Sequence, residues 1–129
     1  MPTVLVVEDD PNQRLLYGEE LAEEGYDVME AASGQEAIDT LEANEIDCVV
    51  LDIAMPEMDG VETLGKMLDI DNQLPVILNT AYSSYKDDFM TWAADAYVVK
   101  SADLSELKEQ VAEAIEKRAE QSGNSGDDE

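Results

Sequence analysis

The chain has 129 residues, 32 of them acidic and seven basic, for a formal net charge of −25. That length suits one domain, and a hydrophobic fraction of 44% is enough for one buried core, which argues against wholesale disorder. A surface this negative repels nucleic acid, no apolar run approaches the ~20 residues that cross a bilayer, and a single cysteine makes no internal disulfide.

Met1-Pro2-Thr3 leads into only a short apolar run that acids close, which is not a signal peptide. A cytoplasmic protein with no direct nucleic-acid or membrane contact is therefore expected. So acidic a surface, this poor in lysine, also suits a salt-rich cytoplasm, with stability rising as salt screens the repulsion.

Val4-Leu5-Val6-Val7, closed by Glu8-Asp9-Asp10, is a short β-branched run of the kind buried on both faces of a parallel sheet. Asp10-Pro11-Asn12-Gln13 then supplies an N-cap, a proline at the first helical position and a capping-box glutamine. Gly25, after Leu21 and Ala22, marks the end of that helix. Asp27–Ala31 is a second candidate strand, and Ser33-Gly34-Gln35-Glu36 a capping box for the next helix. Cys48-Val49-Val50-Leu51, closed by Asp52, repeats the first pattern, with Cys48 as a small buried hydrophobe. Pro75–Asn79 and Ala96–Lys100 complete the strands, with a cap-like Ser84 to Asp87 between them. Asp103-Leu104-Ser105-Glu106 opens the last helix, whose apolar face carries Leu104, Leu107, Val111, Ala114 and Ile115.

Strand and helix thus alternate five times, which predicts an α/β protein with a doubly wound parallel sheet. Residues 1–120 form the predicted domain. Gln121 to Glu129 is rich in Ser, Gly, Asn and acid and is predicted to be a flexible acidic tail.

Ligands of open α/β sheets sit at the carboxyl ends of the strands. Glu8 and Asp9 end the first strand, Asp52 the third and Lys100 the fifth, while Thr80 follows the fourth, so all five should converge on one edge. Three carboxylates placed together raise one another's pKa. A hard divalent cation resolves the conflict, and Mg²⁺ favours one or two carboxylates, waters and a phosphate oxygen. A carboxylate beside such an ion can act as a nucleophile toward phosphorus, with a lysine and a hydroxyl on the transferred group. Singly, each residue has a plainer role: Asp10 as a helix cap, Asp52 as a turn residue, Lys100 as a surface cation, Thr80 as a strand end. Four strand ends bearing the needed groups together carry the argument.

Val6-Val7-Glu8-Asp9-Asp10, Val50-Leu51-Asp52-Ile53-Ala54-Met55-Pro56-Glu57-Met58-Asp59-Gly60, Asn79-Thr80-Ala81 and Asp95-Ala96-Tyr97-Val98-Val99-Lys100 closely resemble the response-regulator receiver family, in the family's order, over residues 3 to 118. The resemblance implies a flavodoxin-like (βα)5 three-layer sandwich with strand order 2-1-3-4-5. It implies Asp52 as phosphoacceptor and a Mg²⁺ site of Glu8, Asp9, Asp52 and the carbonyl of Ala54. Lys100 would pair with the acceptor or its phosphoryl group, while Thr80 and Tyr97 would move together as the switch, biasing the fourth helix, fifth strand and fifth helix. Tyr97 as ordinary strand packing stays open. The implied partners are a sensor histidine kinase or phosphotransfer protein and a downstream target, which includes the case of an output domain outside this chain. Monomer or weak phosphorylation-dependent homodimer is the expected state. Self-phosphorylation and autodephosphorylation would be the only chemistry.

Three departures shape the expectations. Ser101 stands where the family usually has proline, often after a cis bond; a cis bond before serine costs about 3 kcal/mol, so this loop should be built differently. The interval from Thr80 to Lys100 is slightly short, which suggests a trimmed fourth helix. Ala54 cannot hydrogen-bond a hydrolytic water through its side chain, and Tyr82, two after Thr80, brings bulk in place of a carboxylate, which implies a long-lived phosphoryl group. Met55, Met58, Met67 and Met90 read as core fillers, and Trp92 as either a partner anchor or a cover for the sheet.

The rival enzyme class, an aspartate-nucleophile phosphatase, would need an aspartate where Ala54 stands. A receiver-like module working without phosphorylation is the alternative. Asp69-Ile70-Asp71-Asn72 lacks the glycine and closing glutamate of a calcium loop, and no phosphate-binding glycine loop is present.

Overall fold

The computed structural model describes residues 1–52, 60–81 and 94–127, with side chains except at 60–61 and 121–127. Five parallel strands, β1 (Thr3–Val7), β2 (Asp27–Ala31), β3 (Cys48–Leu51), β4 (Val76–Thr80) and β5 (Ala96–Val99), form one sheet in the order β2-β1-β3-β4-β5. This is the order expected. Four helices are seen among the described residues: α1 (Pro11–Glu23), α2 (Gly34–Ala43), α3 (Gly60–Ile70) and α4 (Ser105–Asp127). The helix expected between β4 and β5, with Ser84, Asp87, Met90 and Trp92, lies outside the described residues, as do Ala54, Met55, Met58 and Tyr82.

Side chains alternate across a strand, so each apolar run feeds two cores. Leu5, Val7, Val49, Leu51, Val76 and Leu78 face α2 and α3, meeting Ala37, Leu41, Leu64 and Met67. Val4, Val6, Cys48, Val50 and Ile77 face α1 and α4, meeting Tyr17, Leu21, Leu107, Val111 and Ala114. Met67 is fully buried, as its reading as a core filler requires.

The helix boundaries follow local chemistry. Asp10 caps α1 by accepting from the N–H groups of Asn12 and Gln13, and Gly25 takes the chain out of the helix at φ 99°. Three elements differ in extent from expectation. β5 ends at Val99, one residue short of Lys100. β4 is displaced by one residue to include Thr80. The backbone of α4 continues to Asp127, where composition predicts a flexible tail from Gln121. A nucleated helix gains a hydrogen bond for each added residue, and no proline interrupts this stretch.

Candidate functional site

The register of the three central strands delivers the acidic residues to one place. Val7 pairs with Leu51 across β1 and β3, so the next residues, Glu8 and Asp52, leave the sheet side by side. Their backbones stay tied to it: Glu8 N–H donates to the Ala31 carbonyl at 3.0 Å, and Asp52 N–H to the Val7 carbonyl at 3.1 Å. Glu8 and Asp52 are buried, whereas Asp9 is exposed. One carboxylate oxygen from each of Glu8, Asp9 and Asp52 lies within 4.8 Å of the others.

Lys100 enters from the end of β5. Its N–H donates to the Thr80 carbonyl at 2.7 Å, and its Nζ reaches across the sheet end to Glu8 Oε1 at 2.6 Å and Asp52 Oδ2 at 2.8 Å. Burial works to lower the Lys100 pKa, but the hydrogen bonds to Asp52 and Glu8 outweigh it and the ammonium is held above its usual value. Burial lifts the Glu8 carboxyl above its ordinary range, against the hydrogen bonds from Lys100 and from the Asp10 N–H. Three carboxylates against one ammonium leave two formal negative charges. Hard oxygen donors with that surplus fit a divalent cation of the Mg²⁺ type, while the group contains no histidine or cysteine that would favour a softer metal.

The structure therefore brings together Glu8, Asp9, Asp52 and Lys100. Thr80 is fully buried at the end of β4, next to the backbone of Lys100. Tyr97 is half-buried three residues earlier in β5 and packs against the core shared by α2 and α3. The Ala54 carbonyl lies outside the described residues.

The loop after Lys100 is built without proline. There is no cis peptide among the described residues, so the Lys100–Ser101 bond is trans. Ser101 Oγ accepts from the Asp103 N–H at 3.1 Å, and Asp103 Oδ1 accepts from the Ser105 N–H at 2.9 Å, which leads the chain into α4.

Two neighbours of the site escaped the sequence reading. Arg14 Nη1 donates to the Glu8 carbonyl at 2.8 Å. A basic residue one turn into the helix that follows an acidic pair was its only signal. Tyr17, buried beside the site, donates its hydroxyl to Gln13 Oε1 at 3.4 Å; burial raises its phenol pKa, and the nearby Asn79 side chain opposes the rise.

Residues 4–112 match the family described as the response regulator receiver domain. The chain is 34% identical over 110 residues to sporulation initiation phosphotransferase F of Bacillus subtilis, covering 84% of this chain and 89% of that protein. It is 32% identical over 118 residues to the transcriptional regulatory protein GlrR of Escherichia coli, covering 90% of this chain but only 27% of that longer regulator. Its structure resembles that of the response regulator TrrA of Thermotoga maritima in complex with Mg²⁺–BeF, with a TM-score of 0.85, 46% identity, and coverage of 88% of this chain and 99% of that one. TrrA in complex with the histidine kinase ThkA is similar at a TM-score of 0.83, 46% identity, and coverage of 88% and 98%.

Proposed function

We propose the function of this chain from an established premise, that it belongs to the response regulator receiver domain family and is a two-component signalling domain. On that premise Asp52 is the phosphoacceptor. The observation that carries this reading is the convergence of Glu8, Asp9 and Asp52 around the Lys100 ammonium at the carboxyl ends of β1, β3 and β5.

Glu8, Asp9 and Asp52 would hold Mg²⁺, with the Ala54 carbonyl as a further ligand. When bound, the ion neutralises charge on the incoming phosphoryl group and lets two anions approach each other. Asp52 attacks phosphorus through a carboxylate oxygen, the bond from phosphorus to the donor breaks, and an aspartyl phosphate forms. Lys100, already hydrogen-bonded to Asp52, then pairs with a phosphoryl oxygen. Thr80 closes on the same group by a hydroxyl hydrogen bond, and Tyr97 on the neighbouring strand moves with it. Support for the metal and for the donor comes from TrrA, whose structures include one with Mg²⁺–BeF and one with a histidine kinase. A histidine kinase or phosphotransfer protein is the proposed physiological donor, and a partner reading the switched face the proposed output.

Intact mass after incubation with acetyl phosphate tests this reading. A Mg²⁺-dependent gain of one phosphoryl group, absent in Asp52→Asn, is expected. No gain in a folded, Mg²⁺-binding protein would overturn the acceptor assignment.

A further inference from the structure

We propose that Arg14 is a positioning residue for the divalent cation, holding the backbone of the acidic pair through the Glu8 carbonyl. The inference rests on the Mg²⁺ reading of Glu8, Asp9 and Asp52 given above.

Glu8 and Asp9 lie where β1 has ended and α1 has not begun, so no regular ladder holds them. Their backbone is pinned by other means. Glu8 N–H is tied to Ala31, and Asp10 N–H donates to Glu8 Oε2 at 3.2 Å. The Glu8 carbonyl, which lies in the peptide joining the two acids, accepts from Arg14 Nη1 at 2.8 Å. Arg14 is itself aimed from the other side: its Nε stands 3.5 Å from Glu30 Oε1 on β2. One rigid guanidinium plane carries both contacts, a hydrogen bond to the Glu8 carbonyl and a 3.5 Å ion pair with the Glu30 carboxylate, a combination that a lysine does not reproduce.

Gly18 makes room for this arrangement. A Cβ at that position would sit 2.8 Å from Glu30 Oε2, the end of a flexible side chain, so an alanine there shifts the carboxylate beside Arg14 at little cost to the fold. Thus α1, through Arg14, and β2, through Ala31 and Glu30, together fix the backbone on either side of Glu8. Metal ligands need such outer partners, because a freely rotating peptide lets the carboxylates part as their charges repel.

Charge and geometry make opposite predictions, which makes the role testable. Arg14 is a cation beside a cation site, so removing its charge alone would tighten Mg²⁺ binding. Losing its hold on the Glu8–Asp9 peptide would weaken it. Arg14→Lys keeps the charge and loses the guanidinium plane; Arg14→Met loses both.

Mg²⁺ is titrated calorimetrically into the unphosphorylated full chain at constant ionic strength. Asp9→Asn is run alongside to subtract diffuse binding to the acidic surface. The dissociation constant is expected to rise about tenfold in Arg14→Lys and Arg14→Met, the lower end of outer-partner effects. Gly18→Ala, which leaves Arg14 in place, should show a smaller loss in the same direction. In phosphorylation from acetyl phosphate, half-saturation by Mg²⁺ should rise in proportion while the rate at saturating Mg²⁺ holds. A purely structural role would lower the melting temperature and leave the Mg²⁺ affinity alone. Unchanged affinity in Arg14→Lys, or tighter binding in Arg14→Met, overturns the proposal. If Arg14→Met does not fold, Arg14→Lys and Gly18→Ala decide. A wild-type chain that binds no Mg²⁺ beyond the Asp9→Asn control is a separate result, because it removes the Mg²⁺ reading itself.

Discussion

Lys100 Nζ stands 2.8 Å from Asp52 Oδ2 although 48 residues separate them, and the same nitrogen lies 2.6 Å from Glu8 Oε1. One ammonium therefore neutralises part of a charge that a divalent cation would otherwise carry. Removing it exposes the two buried carboxylates to each other, and breaking a buried pair in this way costs about 3 kcal/mol. Lys100→Ala should accordingly melt lower than the wild type without Mg²⁺ and recover more of its stability when Mg²⁺ is added. It should still accept a phosphoryl group but fail to transmit the change to a partner. Thermal melts with and without Mg²⁺, together with intact mass, check the first two outcomes. A normal partner response in phosphorylated Lys100→Ala would remove the lysine from the switch.

Cys48 is fully buried at the start of β3, and burial pushes its thiol up to about 12 from an ordinary 9.0. Its folded-state value is raised, so its contribution to stability is fully present below pH 9 and is lost as pH climbs toward 12. The slope is about 1.4 kcal/mol per pH unit while only the unfolded chain's thiol is ionised. Lys100 and Lys108 are also raised and lose stability in the alkaline range, so the difference between wild type and Cys48→Ala isolates the thiol. Urea unfolding at pH 8 and pH 10.5 should show the wild type losing more than the variant. In the native protein Cys48 should also resist alkylation at pH 8.

Arg118 ties α4 to the turn before β4. Its Nη2 stands 2.8 Å from Asp71 Oδ2, and its Nη1 donates to the Gln73 carbonyl at 3.0 Å. Burial works to raise the Asp71 carboxyl, but the bonds from Arg118 and the Gln73 N–H prevail and hold it below its ordinary 3.8. A depressed carboxyl stabilises above its unfolded-state value and stops doing so as pH falls through the folded one. Both side chains are partly solvated, so Arg118→Met should cost about 1 kcal/mol at pH 7. That deficit should shrink below pH 4, which urea unfolding of both proteins across pH 7 to pH 3 would measure. A deficit independent of pH would show that the Gln73 carbonyl bond alone carries it.

The excess of acid has a consequence for the whole fold. Arg14, Lys66, Lys100, Lys108 and Arg118, five of the seven basic residues, already sit in ion pairs among the described residues. Few cations are left to balance the remaining carboxylates, so the folded state concentrates repulsion that salt screens. Between 0.05 and 2 M KCl the melting temperature should rise by about 5 °C, equivalent to about 1 kcal/mol for a domain of this size. An unchanged melting temperature would mean that the acidic groups are too far apart to interact.

The elements were legible because each has a local cause. The runs around Leu5, Val49 and Ile77 are apolar on both faces, and only strands covered by helices on both sides bury them. Asp10, Ser33 and Gly25 bound their helices through bonds or backbone freedom that involve near neighbours only. The identities of Glu8, Asp9, Asp52 and Lys100 were legible for a related reason. Strand ends in a parallel sheet share one edge, so groups placed there must meet. The end of α4 was not legible, because no cap or proline marks it, and its backbone runs to Asp127 over residues whose composition reads as a tail.

The sequence alone therefore determined the alternation of strand and helix, the two-sided core, and the residues that gather at the acidic edge, since all of these follow from period and position along the chain. Tertiary structure decided how those residues are held. Lys100 bridges Glu8 as well as Asp52 because β4 and β5 run two residues past the level at which β1 and β3 end, so its side chain reaches back over both carboxylates. Arg14 reaches the Glu8 carbonyl while facing Glu30 because α1 packs over β2 at Gly18. Contacts of this kind depend on distances between elements far apart in the chain, and no local pattern encodes them.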